Sequence, residues 1–223
     1  MSSRSHRRTR EETSRLVREA AVILLERDGL RGFANSVRLD DALTLLLAED
    51  NIRLTHGSIY GRIWADQRDF QLDVVATAVS RYRGDDIAEA ITATADSSPG
   101  GLPSDSIGSL FASAVAAAMR SRRWNLWIGA SAAVVSTPGP EDDERLAGAL
   151  TQARTEVTSS IVAALAAALD LAPATIPAEL FVNLVIGAAI TGEIAGPVGL
   201  LAASVAESQA HPSTRTVIEP GLT

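Results

Sequence analysis

The sequence predicts an all-α protein, and three observations carry that prediction. Apolar residues recur at helical spacing along nearly the whole chain. The alternation of β-branched residues that strands require is missing. Of the 223 residues, 46% are hydrophobic and 21% charged, which is typical of a globular protein and excludes a disordered or collagen-like chain.

The first helix has clear boundaries in the sequence. Thr9 and Glu12 stand three residues apart, which is the spacing of a capping box. An apolar stripe follows, and Asp28 and Gly29 supply a C-terminal stop. We therefore expect a helix over residues 10–28, preceded by a basic arm at 1–9.

Two short helices follow, separated by a turn. The first fits residues 40–49, with Asp40 as the candidate N-cap and Asp50-Asn51 as the break after it. The second begins at Thr55, a good capping residue, and runs to about Ile63. The spacing thus predicts a short helix, a turn and a short helix between two longer helices.

The rest of the chain is predicted to continue as helices. The next one starts where Asp66 and Asp69 favour a helix N-terminus. The later segments share apolar positions at steps of three and four, with Gly and Pro at their ends. In order, the first of these segments are a helix after residue 83, a loop at 96–105, helices at 107–119 and 124–135, and a break at Pro138-Gly139-Pro140. A long helix at 141–170 follows and ends before Pro173 and Pro177. The last two are an apolar helix at 178–194 and a helix that Gly196-Pro197 separates from it and that ends near Ser208.

Composition excludes several chemistries. The chain has no Cys and its three His are far apart in sequence, so disulfides, cysteine nucleophiles and a local zinc site are excluded. Residues 106–208 contain no His and no Gly-x-Ser-x-Gly elbow, so we expect no enzyme activity and no cofactor. The acidic run 141–144 is typical of a helix start, with a metal site as the less favoured alternative. An all-α enzyme stays a rival that a cleft with converging acids would favour.

The net charge of −7 is unevenly distributed. Residues 1–83 carry 14 Arg against 12 Asp and Glu, whereas residues 84–223 carry 6 Arg against 15. A locally basic face can bind nucleic acid even on an acidic protein, because screening makes the local potential decisive. Glu11 and Glu12 stand where a secretory signal would have its apolar run, and no apolar stretch reaches the ~20 residues of a membrane span. We therefore expect a cytoplasmic protein that does not enter a membrane.

The short helices predicted at 40–63 form a helix-turn-helix arrangement, and residues 55–60 read Thr-His-Gly-Ser-Ile-Tyr. In this run the sequence resembles the TetR family of transcriptional regulators, whose DNA-binding segment ends in a similar Lys-Gly-Thr-Leu-Tyr-like run. Residues 26–30 resemble the stop of its first helix and 36–38 its entry to the second, so the likeness covers roughly 10–80. Departures from the pattern are a longer stretch between Arg38 and Thr55, Asn51 in place of a turn glycine, an added Arg53-Leu54, and Trp64 one residue late.

A helix of this kind fits the major groove, where its N-terminal residues reach base edges and its flanks hold phosphates. Candidates for base-edge contact are Thr55, His56 and Ser58, and Gly57 would let the backbone approach closely. Candidates for phosphate contact are Tyr60 (a role that the resemblance implies), Arg62, Arg38, Arg53, Arg68, and Arg4, Arg7, Arg8 and Arg10 of the arm. The alternatives are an ordinary exposed His56, a Tyr60 that only packs, and a merely solvated arm.

The resemblance also implies what the larger part of the chain does. In the family, this part holds a small-molecule pocket and the dimer interface. Large apolar side chains are the candidates for lining the pocket: Phe111, Met119, Trp124 and Trp127. The helices at 141–170 and 178–194 have more apolar surface than one helical core needs, which favours them as the interface of a homodimer.

These observations give a domain organisation and a function to test. We expect a DNA-binding domain at 10–64, an effector-binding and dimerisation domain at 65–208, and a flexible tail at 209–223. The expected function is a sequence-specific regulator that binds a double-stranded DNA operator and, as the resemblance implies, is a repressor released by a small-molecule effector. The alternative is a helical ligand-sensing or protein-interaction protein that no longer binds DNA, since the added Arg53-Leu54 lengthens the turn.

Overall fold

The computed structural model describes residues 8–30, 36–97, 106–136, 140–173 and 176–210, and it is all-α over these ranges. The described residues form ten α-helices and no β-strand, which confirms the predicted fold class. The helices are α1 (Arg10–Asp28), α2 (Leu39–Asp50), α3 (His56–Ile59), α4 (Gln67–Ser80), α5 (Asp85–Asp96), α6 (Ser106–Arg120), α7 (Arg122–Ser136), α8 (Pro140–Leu169), α9 (Ala178–Thr191) and α10 (Ala195–Ala210).

The predicted ends of α1 are confirmed. The backbone N–H of Glu12 donates to Thr9 Oγ1 at 3.1 Å, and the N–H of Thr9 donates to Glu12 Oε2 at 2.8 Å, so the capping box is complete. At the other end Gly29 has φ +75°, a conformation that favours glycine and stops the helix after Asp28.

The two short helices differ in detail from their predicted bounds. The N-cap of α2 is Arg38 and not Asp40, which lies in the first turn, where its carboxylate meets the positive end of the helix dipole. The third helix ends at Ile59 and not near Ile63. Tyr60 is extended and Gly61 has φ +74°, so the chain turns and the Gly61 N–H donates to Trp64 O at 2.8 Å. Local backbone conformation at a glycine therefore cut the helix to one turn.

Later boundaries lie close to the predicted ones, with one exception. Gly196-Pro197 does not separate the last two helices. Gly192 ends α9 with φ +76°, and α10 starts at Ala195. Pro197 falls in the first turn of α10, where its missing N–H breaks no helical bond. Most of the predicted 96–105 loop, Pro138-Gly139, the tail from 211 on, and Arg4 and Arg7 lie outside the described residues.

Contacts divide the chain into two compact units that are each discontinuous in sequence. The first contains α1–α4, α7 and α8 as far as Val157, and the second contains α5, α6 as far as Ala118, α8 from Thr158 on, α9 and α10. The sequence-based boundary between residues 64 and 65 thus falls within the first unit.

The core of the first unit is built where α1, α2 and α4 meet. Its fully buried side chains include Val17, Leu25, Leu39, Ile59, Phe70 and Val74. Burial of each such side chain is worth about 1.5–3 kcal/mol. The helix α7 joins this unit through a ring cluster in which Trp124 and Trp127 lie 6.5 Å and 6.3 Å from Tyr82.

The second unit has its own core. Phe111 of α6 packs edge-on against Phe181 of α9 at a ring distance of 5.6 Å, and both are buried. The Thr94 hydroxyl donates to Ser113 Oγ at 2.8 Å, which joins α5 to α6. Within the described part of the chain, no helix is both long and apolar enough to cross a membrane.

Candidate nucleic-acid interface

The segment from α2 to α3 is held in place by one buried side chain in its five-residue turn and one in α3. Asn51, with φ 53°, ends α2, and the N–H of Ile52 donates back to Leu46 O at 3.1 Å. Ile52 and Ile59 are both buried, so the turn and α3 are anchored by one apolar residue each. The added residues of the turn, Arg53 and Leu54, are accommodated between these two anchors.

The N-terminus of α3 presents three exposed residues. Thr55, His56 and Gly57 are all exposed, as base-edge contacts would require. Ser58 is half-buried, and its hydroxyl is engaged locally: it donates to Thr55 O at 2.6 Å and accepts from the Thr55 N–H at 3.3 Å. Ser58 therefore caps α3, whereas its three neighbours face solvent.

His56 is fixed by a residue that the sequence did not mark as functional. Its Nε2 lies 2.5 Å from Asp40 Oδ1 in the first turn of α2. The ring also meets Tyr60 edge-on at a centroid distance of 5.7 Å. The imidazole is thus oriented from two sides although its side chain is half-exposed.

Tyr60 points its hydroxyl into the protein. The hydroxyl donates to Gln67 Oε1 at 2.6 Å, and burial raises the pKa of the phenol above its ordinary value, with the charge of Asp40 adding to the effect. A phosphate oxygen needs a donor, so Tyr60 would have to leave Gln67 to serve one. The described geometry matches the alternative of a packed tyrosine.

Gln67 and Asp73 form hydrogen bonds that join the segments next to α3, and these roles were not predicted from the sequence. Gln67 also accepts from the Leu39 N–H at 3.3 Å and donates to Val37 O at 2.8 Å. Asp73 Oδ2 accepts from Trp64 Nε1 at 2.9 Å and from Arg18 Nε at 2.7 Å. Gln67 lies one helical turn before the buried Phe70, which was the signal for its role in the sequence, whereas Asp73 had no comparable signal.

The arginine candidates are exposed, and two of them, Arg53 and Arg62, flank α3 in the sequence, each three residues from one of its ends. Arg38, Arg53, Arg62 and Arg68 are all exposed, and the first three form no salt bridge to a described residue. Arg8 of the arm and Arg10, which the structure makes the first residue of α1, are exposed too. The helix α2 of the same segment is acidic, since it carries Asp40, Asp41, Glu49 and Asp50 and no basic residue. From residue 36 to 66 there are three Arg against five Asp and Glu, so the local potential is not strongly positive.

The four candidates for a ligand pocket belong to two different units. Trp124 and Trp127 are buried beside Tyr82 in the first unit, Phe111 packs on Phe181 in the second, and Met119 is 56% exposed. The Nε1 of Trp127 is buried and has no hydrogen-bond partner among the described residues. An orphaned buried donor costs about 1–3 kcal/mol, so this indole N–H suits a ligand acceptor.

Two of the cavities that described residues line lie in the first unit. One of about 440 Å³ lies between α1 and α2, and one of about 470 Å³ lies beside the start of α1. The first has a mixed lining that includes Leu24, Leu45, Asp28 and Asp41. Neither is lined by the four pocket candidates. Across the described ranges no three His, Asp or Glu side chains are grouped as a metal site would need.

No family model, no curated protein and no solved structure matches this chain.

Proposed function

We propose that the protein is a sequence-specific DNA-binding transcriptional regulator of the TetR type, a repressor that a small-molecule effector releases from its operator. The observation that carries the proposal is the presentation of α3. A single helical turn, anchored by buried Ile59, exposes Thr55, His56 and Gly57 at its N-terminus. The exposed Arg53 and Arg62 flank this turn in the sequence. This is the arrangement in which a helix enters the major groove while basic side chains hold phosphates. Such a regulator works in the cytoplasm, where it meets DNA.

A reader of paired half-sites has to be a dimer, and the second unit offers apolar surface for one. Half-sites lie ~34–36 Å apart, so each needs its own α3. Ile190 of α9 is 70% exposed and Leu200 of α10 is 60% exposed. We propose a homodimer through the helices near 141–170 and 178–194, with α10 beside them.

Effector binding would act on the dimer by population shift. The effector favours a spacing of the two α3 helices that no longer matches successive grooves, with a coupling of ~1–3 kcal/mol. The orphaned indole N–H of Trp127 supports a site for a ligand that carries a hydrogen-bond acceptor.

The test is selection from a random duplex library by the purified protein, followed by affinity measurements at several salt concentrations. We expect an enriched, roughly palindromic site and a steep salt slope. Arg53→Gln and Arg62→Gln should each weaken binding to all sequences and reduce the slope by about 1. Arg120→Gln, an equal change of charge at an exposed position at the end of α6, is the control and should leave the slope unchanged. The absence of any enriched site would refute the proposal.

One observation favours a second function, a helical ligand-sensing or protein-interaction protein that no longer binds DNA. The four carboxylates of α2 would lie close to the phosphate backbone if α3 entered a groove, and like charges repel there. Weak binding without a salt slope in the same experiment would favour this alternative.

A further inference from the structure

The tautomer of His56 follows from its contact with Asp40. Nε2 of His56 and Oδ1 of Asp40 are 2.5 Å apart, across sixteen residues of sequence. A carboxylate has no hydrogen to donate, so the hydrogen of this bond lies on Nε2. A neutral imidazole carries one hydrogen only, which leaves Nδ1 as an acceptor.

An imidazole with Nδ1 as acceptor discriminates between bases in the major groove. Adenine and cytosine present an exocyclic amino group there, N6 and N4, and each is a donor. Guanine presents N7 and O6 and thymine presents O4, all of which are acceptors. An acceptor nitrogen therefore pairs with the first two bases and is repelled by the other two. Without Asp40, either nitrogen could carry the hydrogen. The ring could then pair with the bases that present a donor and also with those that present only acceptors.

The position and exposure of the pair fit this role. His56 is the first residue of α3, where side chains reach base edges, and its side chain is 48% exposed. The edge contact with Tyr60 limits rotation of the ring. Both remaining requirements for readout, a fixed hydrogen and a fixed ring, are thus met by neighbours within the first unit.

We propose that Asp40 is a specificity-determining positioning residue, which holds His56 in the Nε2–H tautomer so that Nδ1 reads the exocyclic amino group of adenine or cytosine. The inference rests on the proposed function, because it needs α3 in a major groove. It is distinct from a charge effect, since the negative charge of Asp40 by itself weakens binding to every sequence alike.

The selection experiment separates these effects when it is run with three variants at about pH 8. The wild-type site should contain one position per half-site at which adenine or cytosine is preferred about fivefold or more. Asp40→Ala and His56→Ala should each abolish the base preference at that position and leave the preferences at the other positions of the site unchanged. Asp41→Ala is the matched control, because it removes the same charge from the next residue of α2, for which the structure describes no bond to His56. Retention of the preference in Asp40→Ala, or its equal loss in Asp41→Ala, would overturn the inference.

A second measurement needs no DNA. Nitrogen-15 spectra of the imidazoles, with His56 assigned by its loss in His56→Ala, should show a pyridine-type Nδ1 in the wild type and in Asp41→Ala, and averaged shifts in Asp40→Ala. Averaged shifts in the wild type would refute the fixed tautomer even if a site is selected. A pyridine-type Nδ1 in a protein that selects no site would instead refute the proposed function, and with it the reading of a base by His56.

Discussion

Gln67 uses both ends of its amide to hold three segments together beside α3. Its Oε1 accepts from the Tyr60 hydroxyl and from the Leu39 N–H, and its Nε2 donates to Val37 O. These bonds join the end of α3, the start of α2 and the chain before α2. Each is worth about 0.5–1.5 kcal/mol net, and a partner left unpaired costs more than that.

Replacing Tyr60 by Phe tests this arrangement. The variant loses the 2.6 Å bond to Gln67 and should lower the free energy of unfolding by about 0.5–1.5 kcal/mol, measured by urea denaturation. Operator affinity should be compared at a temperature where both proteins are folded. Equal affinity would place the hydroxyl outside the DNA contact, whereas a loss at all sequences would restore it as a phosphate ligand. An unchanged unfolding midpoint would show that the bond does not stabilise the fold.

Arg81 gives Glu19 a pH-dependent part in stability. The guanidinium donates two hydrogen bonds to the carboxylate, at 2.8 Å and 2.5 Å, and these hold the pKa of Glu19 below its ordinary value. Because the folded pKa is the lower one, the pair stabilises the fold above the unfolded pKa, about 4.3, and this stabilisation is lost as the pH falls through the folded pKa.

Arg81→Gln should therefore destabilise the protein at pH 7 and have a smaller effect as the pH approaches about 3. The effect stays small at any pH, because both side chains are about two-fifths exposed and water screens the pair. Urea midpoints of both proteins across this range provide the measurement. A difference that grows on acidification would contradict the assignment.

At the scale of elements, the shortness of α3 is set by one glycine. Gly61 has φ +74°, and a Cβ there would meet nothing within 4 Å, so the barrier to substitution is backbone conformation and not space. Gly57, inside α3, is also open to a Cβ and has no positive φ. The two glycines form a matched pair in one segment.

Gly61→Ala should destabilise the protein by about 1 kcal/mol, because an L-residue at positive φ is strained. Gly57→Ala should leave stability unchanged or raise it, because alanine favours helix. Thermal or urea unfolding of both variants checks this. In operator binding, Gly57→Ala should be the more damaging of the two variants if the backbone at Gly57 lies against DNA, since the added methyl group would then clash with it. Equal unfolding midpoints for the two variants would mean that the turn at Gly61 is not strained by a side chain.

The elements also show how far sequence reasoning reaches. The ends of α1 were predictable because Thr9, Glu12 and Gly29 act on backbone within a turn of themselves. The exit of α3 was missed because the apolar spacing through Ile63 continues past the glycine that bends the chain. The residues of α3 predict which of its faces is exposed, but they do not predict which other residues contact that face. Asp40 and Gln67 reach His56, Tyr60 and Val37 only through tertiary packing.

At the scale of the whole molecule, exposed apolar side chains on α9 and α10 provide a test of assembly. Ile190→Glu should convert a homodimer into a monomer, because it places a charge where apolar surface would be buried. Light scattering after size exclusion measures the mass, and circular dichroism should show unchanged helix content. Met119→Glu, at an apolar residue of similar exposure on α6, should leave the mass unchanged. A monomeric wild type, or a dimer that tolerates both changes, would remove α9 from the interface.

Because the first unit is discontinuous in sequence, it is completed only late in synthesis on the ribosome. Tyr82 is synthesised well before its ring partners Trp124 and Trp127. The carbonyl of Arg27 is likewise synthesised well before Arg122, whose guanidinium donates a hydrogen bond to it. At about 5–20 residues per second, the interval from Tyr82 to Val157 lasts roughly 4–15 seconds. For that time the apolar surface of the nascent α1–α4 segment that α7 and α8 later cover is open to contact with other chains, so we expect aggregation during synthesis to begin in this interval.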